Sequence, residues 1–224
     1  MIDEYSLFFS NLLIVGAIAV ALLAYPYFRN HSAQNEEFYI LLLTATLGAV
    51  VLACSNHFVA FLLGVEMLGI SLYAMIAYTV HDTSTAKFPL EAGIKYLILS
   101  ALASAITLFG IALVYAFLGT MGFDEIPAAL EAAGEPGPVF IIGVLMIVAG
   151  AAFKLSLVPF HIWTPDVYEG APVPVTAYLA TVSKAAMLAV TLRLLLASNA
   201  LEFNAVTAVL TVMAAASMIV GNLL

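Results

Sequence analysis

Lys154 lies within an apolar run and is followed five residues later by a proline, in the stretch Ala152-Phe153-Lys154-Leu155-Ser156-Leu157-Val158-Pro159-Phe160-His161. Both features are costly in hydrocarbon. A lysine at the centre of a membrane helix costs roughly 2.5–3.5 kcal/mol on insertion scales, and a proline withdraws a backbone N–H that lipid cannot replace. Such residues persist where they face a protein interior or a hydrated cavity, so an ionisable group beside a helix break points to an ion path. Two more ionisable residues, Glu66 and Lys184, fall near the midpoints of their own apolar segments. A carboxylate and two amines at a similar depth suit proton movement. Burial favours the neutral form of each group and an opposite charge nearby favours the ionised form, so approach or withdrawal of Glu66 would switch Lys154 between holding and releasing a proton. Lys184 is the next acceptor in this scheme, with water as the link. The competing reading is that each group pairs with a neighbour and only locks helix packing.

Other candidates are less specific. Glu91 and Lys95 are four apart, the favourable order for a helical ion pair; Lys95 lies toward a segment end, where a possible relay role and a packing role are both open. Ser100, Ser104 and Thr107 fall on one helix face, a spacing that fits close packing as well as a proton wire. His161 follows the break and is succeeded by Trp163, Pro165, Asp166, Tyr168 and Glu169. Either His161 relays protons to Lys154, since it titrates near neutral pH, or the cluster is an interfacial cap with Trp163 and Tyr168 as belt anchors. His31, His57 and His81 have no partner at metal-ligand spacing, so no metal is expected. No nucleophile array, glycine-rich phosphate loop or cofactor fingerprint is present.

The elements that must position these residues are membrane helices. The 224 residues are 64% hydrophobic and 9% charged, with a mean hydropathy of +1.12, which excludes an ordinary soluble domain. About seven segments span, near 7–28, 38–56, 58–80, 89–118, 139–168, 173–198 and 204–224, each close to or above the roughly 20 residues a helix needs. The fifth is expected to be a helix broken at Pro159. Between 119 and 138 lie Asp124, Glu125, Glu131 and Glu135, with a short surface helix expected over 124–133 and a turn at Gly134-Glu135-Pro136-Gly137-Pro138. The fold expected is an all-α polytopic membrane protein in a lipid bilayer. The net charge is −8 with only six Lys and Arg, so no basic patch exists and no nucleic acid is a partner. A single Cys54 excludes a disulfide framework. If connections alternate sides, Arg29 and Lys87 share one, which the positive-inside rule makes cytoplasmic and which leaves the N-terminus outside. Arg193 runs against this unless it snorkels or faces protein.

The stretch from Phe153 to Pro172, with Pro159-Phe160-His161 and Trp163-Thr164-Pro165-Asp166-Val167-Tyr168-Glu169-Gly170-Ala171-Pro172, resembles the antiporter-like membrane subunits of respiratory complex I. Its later wording is nearest to the N-type branch of that family in bacteria. Phe61-Leu62-Leu63-Gly64-Val65-Glu66, Ile94-Lys95-Tyr96-Leu97-Ile98-Leu99-Ser100 and Ala180-Thr181-Val182-Ser183-Lys184 are similar to further helices of the family. The resemblance implies that Glu66 and Lys154 match a charged pair in proton transfer, with Lys184 as a connecting lysine. It also implies a first helix and cytoplasmic connection over 1–37, a five-helix repeat over 38–198, and the start of a second, inverted repeat over 199–224, the chain being a fragment of a fold with about fourteen helices. Implied partners are the other membrane subunits of the complex, in a bacterial inner membrane. NADH, flavin, iron–sulfur clusters and quinone would belong to the complex, with no cofactor in this chain. The relatives that share the Lys, Pro-Phe-His and Trp-x-Pro-Asp pattern include Mrp antiporters, so sodium/proton exchange is the first alternative, and a structural subunit without transport the second.

Overall fold

A computed structural model of the chain describes residues 2–29, 36–81, 87–134 and 136–223. His31 and Glu135 lie outside the described residues, as do the side chains of His81 and Lys87. The helices follow from the apolar runs and their caps. α1 (Glu4–Arg29) starts in a reciprocal box: Ser6 N–H donates to Asp3 Oδ1 at 2.8 Å, and Asp3 N–H to Ser6 Oγ at 2.9 Å. α2 (Glu36–Cys54) places two acids at its positive end. α3 (Phe58–Ile76) is capped by His57, whose Nδ1 accepts the Val59 N–H, so this histidine has a structural task. α4 (Lys87–Leu118) has 32 residues, about 48 Å of helix, and must tilt or project beyond a hydrocarbon core of about 30 Å. α5 (Ile126–Ala133) is the short surface helix, α6 (Pro138–Leu155) and α7 (Trp163–Gly170) flank the break, and α8 (Val173–Ala180) and α9 (Val182–Ala197) form one span bent at Thr181. α10 (Asn204–Leu223) completes seven segments long and apolar enough to cross a membrane.

The expected all-α polytopic architecture is present, with three local differences. The third segment stops at Ile76 and continues as a 3-10 turn, Tyr78–His81, instead of reaching residue 80 as helix. The bend at Thr181 has no proline or glycine to announce it. The break in the fifth segment begins at Leu155, four residues ahead of Pro159: the proline leaves the Leu155 carbonyl without an N–H, and the Leu157 and Val158 amides already bond outside the helical pattern, to Ala152 and to Ser217.

Packing is closest where side chains are smallest. α4 lies along α6 and α2 along α3. Gly110 of α4 and Gly143 of α6 face each other so closely that a Cβ on Gly110 would sit 2.7 Å from the Gly143 carbonyl oxygen, and one on Gly143 would sit 2.9 Å from that of Gly110. Without a hydrophobic drive between helices in lipid, such backbone approach is a main source of association.

Arg193 faces protein. It is 8% exposed and grips Asp3 with two hydrogen bonds, Nη1 to Oδ2 at 2.9 Å and Nη2 to Oδ1 at 2.8 Å, while its guanidinium lies 4.8 Å from the Tyr5 ring centroid. The bonds from Arg193, followed by the Ser6 amide, hold the Asp3 carboxyl well below the usual carboxylate range. Tyr5 OH donates to the Ala189 carbonyl at 2.8 Å, so the start of α1 is fastened to α9 at two points. The lateral face of α1 is apolar, with Phe8, Val15 and Leu22 exposed as a lipid-facing surface requires.

Gly143→Leu is expected to push α4 and α6 apart at a cost of about 1–3 kcal/mol, lowering the thermal unfolding midpoint of the detergent-purified chain; an unchanged midpoint would show that the two backbones have room.

Candidate functional site

The end of α6 determines the geometry of the site. Leu155 is its last helical residue, and Ser156 takes left-handed backbone angles, φ 59° and ψ 37°, a conformation more often given to glycine at this position. The Leu157 N–H then reaches back to the Ala152 carbonyl at 2.9 Å and the Ser156 N–H to that of Phe153 at 3.0 Å. Two carbonyls at this end attract side-chain donors. Trp163 Nε1 donates to Phe153 O at 3.1 Å. Lys184 Nζ donates to Leu155 O at 3.1 Å, the oxygen for which Pro159 has no hydrogen. The helix end carries partial negative charge, which favours a cation there.

Lys154, beside that carbonyl in sequence, sends its ammonium the other way. Nζ donates to Ser100 Oγ on α4 at 2.5 Å, and Tyr73 OH on α3 donates to the same oxygen at 3.1 Å. The Nζ atom lies 5.6 Å from the Tyr96 ring centroid and against Gly69, where an added Cβ would stand 3.5 Å from it and 3.1 Å from the Tyr73 hydroxyl. Glu66, Gly69 and Tyr73 are spaced i, i+3 and i+7, one face of α3, and the missing side chain at Gly69 opens the place for the ammonium. Glu66 is half-buried on that face, one turn from Gly69, and makes no ion pair with Lys154 among the described residues. A cavity of about 10 Å³ touches Lys154, Tyr96 and Ser183, space for one water at most.

Trp163 is buried inside the bundle and not exposed as a belt anchor would be. Trp163 is 4% exposed and wedged between Tyr96 and Phe153, with ring centroids 5.0 and 5.3 Å away. Tyr168 is half-buried with Lys184 Nζ 5.9 Å from its ring centroid. Around the break, Ser156 Oγ, His161 Nδ1, Thr164 Oγ1 and the Tyr168 hydroxyl are buried without a protein partner among the described residues. Buried polar atoms without protein partners are where ordered water is expected.

Lys95 is held apart from this centre. It is bound by Glu91 at 2.8 Å and Asp166 at 2.6 Å, its side chain 42% exposed, and it precedes Ser100 by five residues, about 7.5 Å along α4. With Phe88, Glu169 and Gly170 these residues line an open pocket of about 200 Å³ between α4 and α7. Of the hydroxyl stripe only Ser100 meets a titratable group: Thr107 bonds the Ala103 carbonyl at 2.9 Å, and Ser104 Oγ is buried without a partner among the described residues. The structure thus gathers Lys154 and Lys184 at one helix end, sets Glu66 on the adjoining face, and keeps Lys95 in a separate, open pocket. Tyr73 escaped the sequence reading, although its spacing from Glu66 was available as a signal. No group of three or more metal-ligating side chains occurs among the described residues.

Comparison with known proteins extends the picture. Residues 55–224 match the model of a family described as NADH:quinone oxidoreductase/Mrp antiporter, transmembrane. The chain is 51% identical over 223 residues to NADH-quinone oxidoreductase subunit N of Methylococcus capsulatus, covering all of this chain and 44% of that one. Subunit N of Nitrosospira multiformis is also 51% identical, over 225 residues, again with 44% of the relative covered. Among solved structures, respiratory complex I from Thermus thermophilus with bound aureothin contains a chain that superposes with a TM-score of 0.71 at 36% identity, covering 86% of this chain and 40% of that one. The chain therefore spans less than half the length of the curated relatives it matches. With the family model covering most of its residues, a broken helix among membrane spans and identity above half to two members, the chain belongs to the NADH:quinone oxidoreductase/Mrp antiporter family of membrane proteins.

Proposed function

We propose that this chain is the proton-carrying portion of a membrane subunit of NADH:quinone oxidoreductase, respiratory complex I, which moves protons across a bacterial inner membrane while quinone is reduced elsewhere in the assembly. The observation that carries the reading is the helix end at Leu155: one lysine binds its open carbonyl and the neighbouring lysine turns to a hydroxyl pair, inside a membrane span. Charge at this depth is costly and marks transport more often than packing. Lys154 receives and releases the proton, Glu66 stabilises its charged form from the adjoining face of α3, and Lys184 accepts across the break through water. Ser100 and Tyr73 hold the Lys154 amine while it is away from Glu66. His161 and Lys95 link this centre to the cytoplasmic surface.

NADH, flavin, iron–sulfur clusters and quinone belong to other subunits in this reading, and the partners of the chain are neighbouring membrane subunits and lipid. Identity above half to two subunit N relatives favours this assignment over an Mrp-like sodium/proton antiporter, although the family model includes both. The orientation follows Arg29 in the positive-inside sense. The pairing of Arg193 with Asp3 removes the contrary weight of that arginine, since a guanidinium neutralised by a carboxylate has little pull toward the cytoplasm.

Lys154→Met or Glu66→Gln in the full-length subunit is expected to lower NADH-driven acidification of inverted membrane vesicles at least severalfold more than it lowers the amount of assembled complex. Equal loss of both would assign these groups to assembly instead. Ser100→Ala should also reduce pumping per complex, by less than Lys154→Met, because Tyr73 and water remain; a Ser100→Ala complex with full pumping removes the hydroxyl pair from the path. For orientation, a cysteine at Glu202 in a Cys54→Ser background should react with an impermeant maleimide on the outer face of spheroplasts, and reaction only in inverted vesicles would reverse the topology.

A further inference from the structure

The backbone amide of Val158 lies inside the break. In an unbroken helix its hydrogen would go to the Lys154 carbonyl; here it goes to Ser217 Oγ of α10, at 3.0 Å. Ser217 in turn donates its own hydroxyl hydrogen to the Met213 carbonyl at 2.7 Å. A hydroxyl has one hydrogen and two lone pairs, so the bond to Met213 fixes the hydrogen and leaves a lone pair toward the break.

The other amides of this turn are satisfied locally: Ser156 bonds Phe153, Leu157 bonds Ala152 and Phe160 bonds Leu157, while Pro159 has none. Ser217 thus supplies the one acceptor that reaches this turn from another helix, among the described residues. Along the described part of α10, Val206 and Met213 are its buried residues. The tie falls on the one amide of this turn that no neighbouring carbonyl in the chain satisfies, beside the two lysines.

We propose that Ser217 is a positioning residue for the proton path: by holding the Val158 N–H it fixes where α6 stops, and with that the direction of Lys154 and the carbonyl that Lys184 binds. The proposal rests on the transport reading above and adds to it the helix that holds the break in place. Without the hydroxyl, the Val158 amide has the Lys154 carbonyl or water as alternatives. The first extends α6 toward Pro159 and turns the Lys154–Leu155 peptide; the second loosens the turn. Either way the two lysines lose their common frame, although neither touches Ser217.

The test compares Ser217→Val with Ser217→Thr in the full-length subunit, since the two differ only by a methyl in place of the hydroxyl, with Lys154→Met as reference. Protons pumped per NADH oxidised are measured in inverted vesicles per assembled complex, and amide hydrogen exchange is followed in the peptide covering residues 155–160. Ser217→Val is expected to reduce protons per NADH at least twofold and to speed exchange at the break, whereas Ser217→Thr keeps both near the original. If Lys154→Met abolishes pumping while Ser217→Val and Ser217→Thr behave alike, the positioning role is wrong and the transport reading stands. Faster exchange in Ser217→Val with pumping intact also overturns it, because the tie would then serve the fold alone. Should Lys154→Met pump normally, the transport reading itself fails and the positioning role falls with it.

Discussion

One missing hydrogen organises the centre of this protein. Pro159 cannot supply an N–H to the Leu155 carbonyl, and in lipid an unpartnered carbonyl must be satisfied from within the protein. The chain answers with a left-handed turn at Ser156 and with side chains drawn in from distant helices: Lys184 from α9, Trp163 from α7 and Ser217 from α10. Each of these contacts satisfies a backbone group and at the same time fixes the place of a side chain around the break. The break is therefore both the weakness of the span and the reason its neighbours are where they are.

The rest of the bundle serves to hold that arrangement at depth. α4 and α6 approach through paired glycines, which brings Ser100 within reach of Lys154. α3 presents Gly69 instead of a side chain, which leaves space for the ammonium beside Tyr73. At the other end of the span that carries Lys184, Arg193 and the Ala189 carbonyl fasten α9 to the start of α1. A lysine on a helix held toward its far end and bound at the break has little freedom to leave it.

Much of this was legible in the sequence, for physical reasons. Charges inside long apolar runs are rare because they are expensive, so Glu66, Lys154 and Lys184 stand out without any structure, and the proline marks the break because nothing else removes an amide hydrogen. What could not be read depends on contacts between helices far apart in the chain. Pro159 indicates a break but not that it starts at Leu155, since the start depends on which donors find the open carbonyls. Ser217 is one serine in an apolar helix, 59 residues from its partner, and no local pattern distinguishes it from a packing serine. Trp163 resembles an interfacial anchor in sequence, and only the ring contacts with Tyr96 and Phe153 reveal it as an internal wedge. Arg193 left two outcomes open, and Asp3, 190 residues away, decides between them.

The central claim is that Lys154 and Lys184 act as one unit joined by the helix end between them. The most direct measurement is a double-mutant cycle on protons pumped per NADH in the assembled complex, with Lys154→Met, Lys184→Met and the combination. Groups in one relay give non-additive losses, so the account predicts that the combined change costs no more than the worse single one. Losses that multiply would show two independent paths and contradict it.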